Sequence, residues 1–152
     1  MTFSTEVLSG PPDPALAAQR SRGADLHSQG VTLERQGKHA EAVTVLEQAL
    51  EHKLATIGPD SESTAMTYNA LAESQIQLGQ LDEAEDSVQK ALQIVSRVGS
   101  KYNQAYYRDN LGLVNEMKGD LVRAGKIRFG TTPDEYVCSY ARVSLDHFKR
   151  YT

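Results

Sequence analysis

A fourteen-residue string occurs almost twice in this chain, as GKHAEAVTVLEQAL at residues 37–50 and GQLDEAEDSVQKAL at 79–92. Both copies open on glycine, carry Glu-Ala four residues on, place an aliphatic residue four further along and close on Ala-Leu. Gly37 and Gly79 are 42 positions apart, and Gly119 follows 40 later. A period between about 20 and 50 residues marks an array of stacked units, each too small to bury its apolar face alone. The period therefore restricts the fold before any single residue is weighed.

The windows between these glycines are helical in pattern. Residues 39–56 place Ala42, Val45, Leu46, Ala49, Leu50 and Leu54 at three- and four-residue steps, the stripe of an amphipathic helix. Met66, Leu71, Ala72, Gln75 and Leu78 recur likewise over 61–78, as do Ala84, Val88, Ala91, Leu92 and Val95 over 81–98. Asp13-Pro14 reads as an N-cap followed by proline at the first helical position, opening a helix that runs towards Gly37. Gly30 inside it implies close packing against the next helix, since a helical glycine costs about 1 kcal/mol relative to alanine. Gly58-Pro59, Gly99-Ser100 and Gly119-Asp120 break the remaining helices, a fifth over 102–118 and a short sixth ending near Arg128. No window alternates with period two, so the domain is expected to be all-α. Three parts follow: a leader at 1–12, a repeat domain at 13–130 and a terminal helix at 131–152. Thr132-Pro133-Asp134-Glu135 forms a capping box for that last helix. Its Val137, Ala141, Leu145 and Phe148 are expected to cover the open side of the final unit, as stacked arrays require.

Net charge is −4, too little cationic field to attract nucleic acid or an anionic membrane. Residues 1–100 hold seven cations against fourteen carboxylates, a sum of −7, whereas 101–152 hold nine against six, +3. A lone Cys138 supports neither a disulfide framework nor a cysteine zinc site. His27, His39, His52 and His147 have no metal-binding spacing, and Cys138 and His147 lie about 13 Å apart along a helix. No metal, cofactor or catalytic group is called for. No apolar stretch is long enough to span a membrane, and the N-terminus lacks the basic and apolar regions of a signal peptide, so a cytoplasmic location is expected.

The spacing of small residues resembles the tetratricopeptide repeat, a helix–turn–helix unit. Leu26, Gly30, Leu33, Gly37, Ala42, Leu46 and Ala49 match it in the first unit, and Tyr68, Leu71, Ala72, Gly79, Ala84, Val88 and Ala91 in the second. The third keeps Leu111, Gly112, Gly119 and Ala124 but has Arg128 where an apolar residue belongs and Thr131 for the last alanine. The added length in ATIGPDSEST is similar to the extended repeat of kinesin light chains. The resemblance implies a right-handed α-solenoid of three helix pairs plus the capping helix, whose concave groove holds a peptide or helix of another protein.

Carried over by position, the resemblance places His27, Val31 and Glu34 in the groove from the first unit, with Ala24 beside them. Met66, Asn69, Glu73 and Ile76 come from the second unit, with Ala70, and Tyr106, Asp109, Asn110, Leu113 and Glu116 from the third. An asparagine amide both donates to and accepts from a peptide backbone, which singles out Asn69 and Asn110. Glu34, Glu73, Asp109 and Glu116 imply a negative groove suited to Lys or Arg of a basic partner. Where co-chaperone members of the family hold a cationic carboxylate clamp, this chain has His27, Val31, Ala70, Tyr106 and Asn110, which counts against an acidic tail as ligand. The expected function is a protein-binding adaptor or scaffold, monomeric or weakly dimeric. The alternative is a structural or self-associating subunit that joins a complex through its tail helix or end face.

Overall fold

The computed structural model describes residues 10–11, 13–99 and 101–129. All of the expected leader at 1–12 except residues 10 and 11, together with Cys138 and the expected capping helix at 131–152, lies outside the described residues. Among the described residues the chain forms six helices and no strand. They are α1 (Pro14–Arg35), α2 (His39–Thr56), α3 (Glu62–Gln77), α4 (Leu81–Val98), α5 (Lys101–Met117) and α6 (Leu121–Phe129). Consecutive helices pair as hairpins and the hairpins stack, so α2 lies against α1 and α3, and α4 against α3 and α5. This is an all-α tetratricopeptide-like solenoid.

The three bends within the hairpins are built alike. Gly37, Gly79 and Gly119 adopt positive φ of 77°, 73° and 88°, where any side chain would strain the backbone. At each, the glycine N–H donates to the carbonyl three residues back and the next N–H to the carbonyl five back. Gly37 thus reaches Glu34 and Lys38 reaches Leu33, with the same pair of bonds at Gly79 and Gly119. This ending satisfies carbonyls that a helix terminus otherwise leaves open. Asp13 caps α1 as the sequence implied, accepting from Ala15 N–H at 3.0 Å; Ser61 caps α3, accepting from Ser63 N–H at 3.2 Å, and α2 and α4 start without a side-chain cap. The longer link between α2 and α3 is pinned by Thr64, whose buried hydroxyl donates to the Gly58 carbonyl at 2.9 Å.

The core follows the repeated string. Ala42, Leu46 and Ala49 of α2 and Ala84, Val88 and Ala91 of α4 are all fully buried. Each unit's first helix enters the cluster of the unit before it. Ala70 and Leu71 of α3 join Ala42 and Leu46, while Tyr107 and Leu111 of α5 join Val88 and Val95. Burial at these seams, at about 25 cal/mol per Å² of apolar surface, is what binds one hairpin to the next.

Three residues of the stripes drawn from the sequence, Leu54, Met66 and Leu78, are exposed. Leu54 is 38% exposed, and its neighbour Lys53 is buried instead, at 5%. The Lys53 stem packs beside Gly23 and its ammonium donates to the Ser63 carbonyl and hydroxyl at 3.2 and 2.9 Å. A long stem covers apolar surface while the head finds oxygen partners, which lets a lysine occupy a seam position. Ile76, expected in the groove, is buried in a core cluster with Ala84 and Val114.

Two glycines on α1 make opposite demands. A Cβ at Gly30 would stand 2.5 Å from Leu46 Cγ, whereas one at Gly23 would stand 3.2 Å from the movable Lys53 Cγ. Overpacking costs about 1–3 kcal/mol, and relief from helical glycine returns about 1. Gly30→Ala should therefore lower unfolding free energy in urea, while Gly23→Ala should leave it unchanged or raise it. Equal shifts in the two variants would refute the close-approach argument.

Candidate functional site

The first helices of the three units converge on a concave pocket of about 570 Å³. From α1 come His27, Val31 and Arg35; from α3 come Met66, Asn69, Ala70 and Glu73. The α3 set falls at steps of three and four, one face of a helix. Its far wall is the start of α5, with Tyr102, Asn103, Tyr106 and Tyr107. Met66 and Tyr102 stand 48% and 63% exposed at the rim. Tyr107 is a core ring as well, and burial, with Glu62 and Glu73 adding to it, pushes its hydroxyl up to about 12.

A polar network lies at the floor. Asn110 Nδ2 donates to Asn69 Oδ1 at 2.8 Å and to Glu73 Oε1 at 3.2 Å, and Asn69 Nδ2 donates to Glu73 Oε1 at 3.1 Å. The Tyr106 hydroxyl donates to the same Glu73 oxygen. Three of these contacts tie α3 to α5, and the fourth, from Asn69 to Glu73, lies within α3. Both asparagines are buried, so their polar atoms need partners, and within the chain they supply one another. Asn110 Oδ1 has no partner among the described residues. Asn110 is not itself a lining residue, so the acceptor that the floor presents is the second oxygen of Glu73.

His27 sits at the α1 side with Nδ1 3.0 Å from the Thr67 hydroxyl. Burial, reinforced by the charge of Lys53, lowers its pKa from 6.5 to about 4, so the ring is neutral at pH 7. Thr67 is fully buried and also donates to the Ser63 carbonyl, so its hydroxyl meets no substrate. Lys53 is itself lowered by burial.

The third unit explains its own irregularity. Arg128 of α6 places Nε 3.1 Å from Asp109 Oδ1, poorly aligned for a hydrogen bond, and Nη1 2.9 Å from Glu116 Oε2. Its side chain is only 9% exposed. Gly112 makes the room, since a Cβ there would come within 2.6 Å of Arg128 Nε. An arginine thus closes the hairpin where an aliphatic residue closes the other two. Two of the four acids assigned to the groove are answered inside the chain, and the case for a negative groove is reduced to Glu34 and Glu73. Glu34 is half-buried near the end of α1 and outside the pocket lining, and Leu113 is 36% exposed beyond its edge.

Arg35, Tyr102, Asn103 and Tyr107 are pocket residues that the repeat pattern did not identify. Tyr102 lies one turn before Tyr106 and Arg35 one turn after Val31, so extending the matched positions by four residues would have reached both.

Two outcomes follow. Arg128→Ala leaves two half-buried carboxylates without their cation and should destabilise the chain by about 1–3 kcal/mol in urea unfolding; no change would mean that the pairs contribute nothing. For His27, a folded-state pKa below the unfolded value means that the unfolded chain holds more protons between pH 6.5 and 4. Stability should fall as pH drops through that window and be indifferent to this ring above it. His27→Gln should flatten the slope; parallel curves for variant and parent would contradict the assignment.

Among the described residues no group of three or more His, Cys, Asp or Glu side chains is placed to hold a metal ion, and no helix is long and apolar enough to cross a membrane. No curated protein matches the sequence. The tetratricopeptide repeat family profile matches it over residues 23–95 and again over 63–124. The two matches overlap, as a shifting register over successive units requires, and together they span the stack from Gly23 to Ala124 and its matching seams. With its glycine bends, buried alanines and stacked hairpins, this chain belongs to the tetratricopeptide repeat family.

Proposed function

We propose that the groove between α1, α3 and α5 binds a short segment of a partner protein, as an extended peptide or one face of a helix. Tetratricopeptide repeats mediate protein–protein interaction and scaffolding, and their repeat is not itself catalytic. The observation that carries the finer reading is that three lining residues of a concave pocket, Asn69, Glu73 and Tyr106, are joined by hydrogen bonds to one another and to Asn110. Such a network holds its side chains in place before a ligand arrives, which reduces the ordering cost of association on this side.

An acceptor on the floor calls for a donor on the ligand. The second oxygen of Glu73 suits a backbone N–H or the ammonium of a lysine, while Asn110 braces the floor from behind. Met66 and Tyr102 at the rim supply apolar contact around those bonds. Arg35 offsets the Glu73 charge within the pocket, so apolar and backbone contacts carry more of the affinity than charge does. This reading makes the chain an adaptor or scaffold, with no enzymatic role, acting in the cytoplasm.

The test is peptide display against the intact chain, followed by titration of one selected peptide. Met66→Glu and Tyr102→Ala, both at exposed positions, should each weaken that peptide about tenfold while helicity is retained. Undiminished binding to both variants would place the recognition surface elsewhere.

A further inference from the structure

On the face of α3 turned away from the groove there is a second cleft, of about 530 Å³, between α2 and α4. Tyr68, Leu71 and Gln75 each follow a groove residue by two positions, which is 200° round a helix, so α3 serves as a wall of both cavities. The floor of the cleft is apolar, formed by Leu50, Tyr68 and Leu71. Its rim carries Glu47 from α2 and Asp82, Glu83 and Asp86 from α4. Asp82 is held by Lys118, but among the described residues Glu47 and Glu83 have no cation partner.

The cleft already contains an example of what it accepts. Lys90 of α4 pairs with Asp86 at 2.8 Å and holds its ammonium 5.8 Å from the centre of the Tyr68 ring. A cation between a carboxylate and an aromatic face gains from both. Glu47 and Glu83 offer carboxylates on the same rim with no such occupant. Two of the four acids that the sequence placed in the groove, Asp109 and Glu116, are met by Arg128, whereas Glu47 and Glu83 of this cleft have no cation partner among the described residues. We propose that the α2–α4 cleft is a second docking surface, which takes a partner segment presenting a Lys or Arg beside a bulky apolar side chain. The apolar side chain covers Leu50 and Leu71, and the cation meets Glu47 and Glu83. The volume suits a few side chains of a short segment rather than a whole helix.

The proposal does not depend on the groove being occupied. It is tested by amide NMR shifts of the isotope-labelled full chain titrated with two capped tripeptides, acetyl-Lys-Leu-Lys-amide and acetyl-Glu-Leu-Glu-amide. The lysine peptide should give saturable, salt-sensitive shifts at Leu50, Tyr68, Leu71 and Gln75, and the glutamate peptide none. Glu47→Lys with Glu83→Lys should weaken binding about tenfold, since each rim charge is worth a few-fold. Lys90→Ala should strengthen it by removing a like charge, an effect that a purely structural lysine would not produce. Met66→Glu, in the groove, should leave it unaltered. The idea is overturned by equal responses to the two peptides, by shifts confined to Asn69, Asn110 and Tyr106, by indifference to the Glu47/Glu83 reversal, or by no saturable response.

Discussion

At residue 30 there is room for a hydrogen and nothing more, because Leu46 of the facing helix occupies the space where a side chain would begin. That near-contact sets the distance between α1 and α2. Fully buried alanines, Ala42 and Ala49 in one unit and Ala84 and Ala91 in the next, set the matching distances at the other seams. Close approach keeps the first helices of all three units within reach of one another, and the concavity follows from it. Larger residues at these places would spread the hairpins and dissolve the walls of both cavities. Function in such a scaffold is carried by whichever side chains the spacing leaves on each face.

Polar chemistry is distributed along the stack in a way that apolar burial alone would not require. At the first seam the buried Lys53 relies on Ser63, with no carboxylate partner among the described residues. At the second the asparagine pair and Glu73 bridge α3 and α5. In the third hairpin Arg128 is the closure. Most buried donors in these arrangements find acceptors, as burial demands, though Arg128 Nε makes no hydrogen bond.

The fold was legible because its signals are local and repeated. Gly37, Gly79 and Gly119 announce left-handed bends that hardly any other residue makes cheaply, and the alanine spacing announces which faces meet. The groove was legible only in outline. Val31, Met66, Asn69 and Glu73, named from position within a repeat, line the concave pocket, yet position could not separate Ile76, which turns into the core, from the residues that line it. Periodicity fixes a direction around one helix but carries no information about how deep a neighbouring helix reaches. The roles of Asp109 and Glu116 depended on Arg128, a residue of another helix whose mismatch to the repeat looked like decay. Lys53 escaped for a similar reason: charge suggested solvent, and only the packing beside Gly23 reveals its stem as apolar filling.

Helix α3 is sixteen residues long and has a cavity against each of two opposite faces. An occupant on one side that shifts or stiffens this helix changes the shape offered on the other. Thermodynamic linkage then requires the influence to be mutual: whatever free energy the first guest confers on the second, the second returns to the first. A partition with two tenants cannot be private to either.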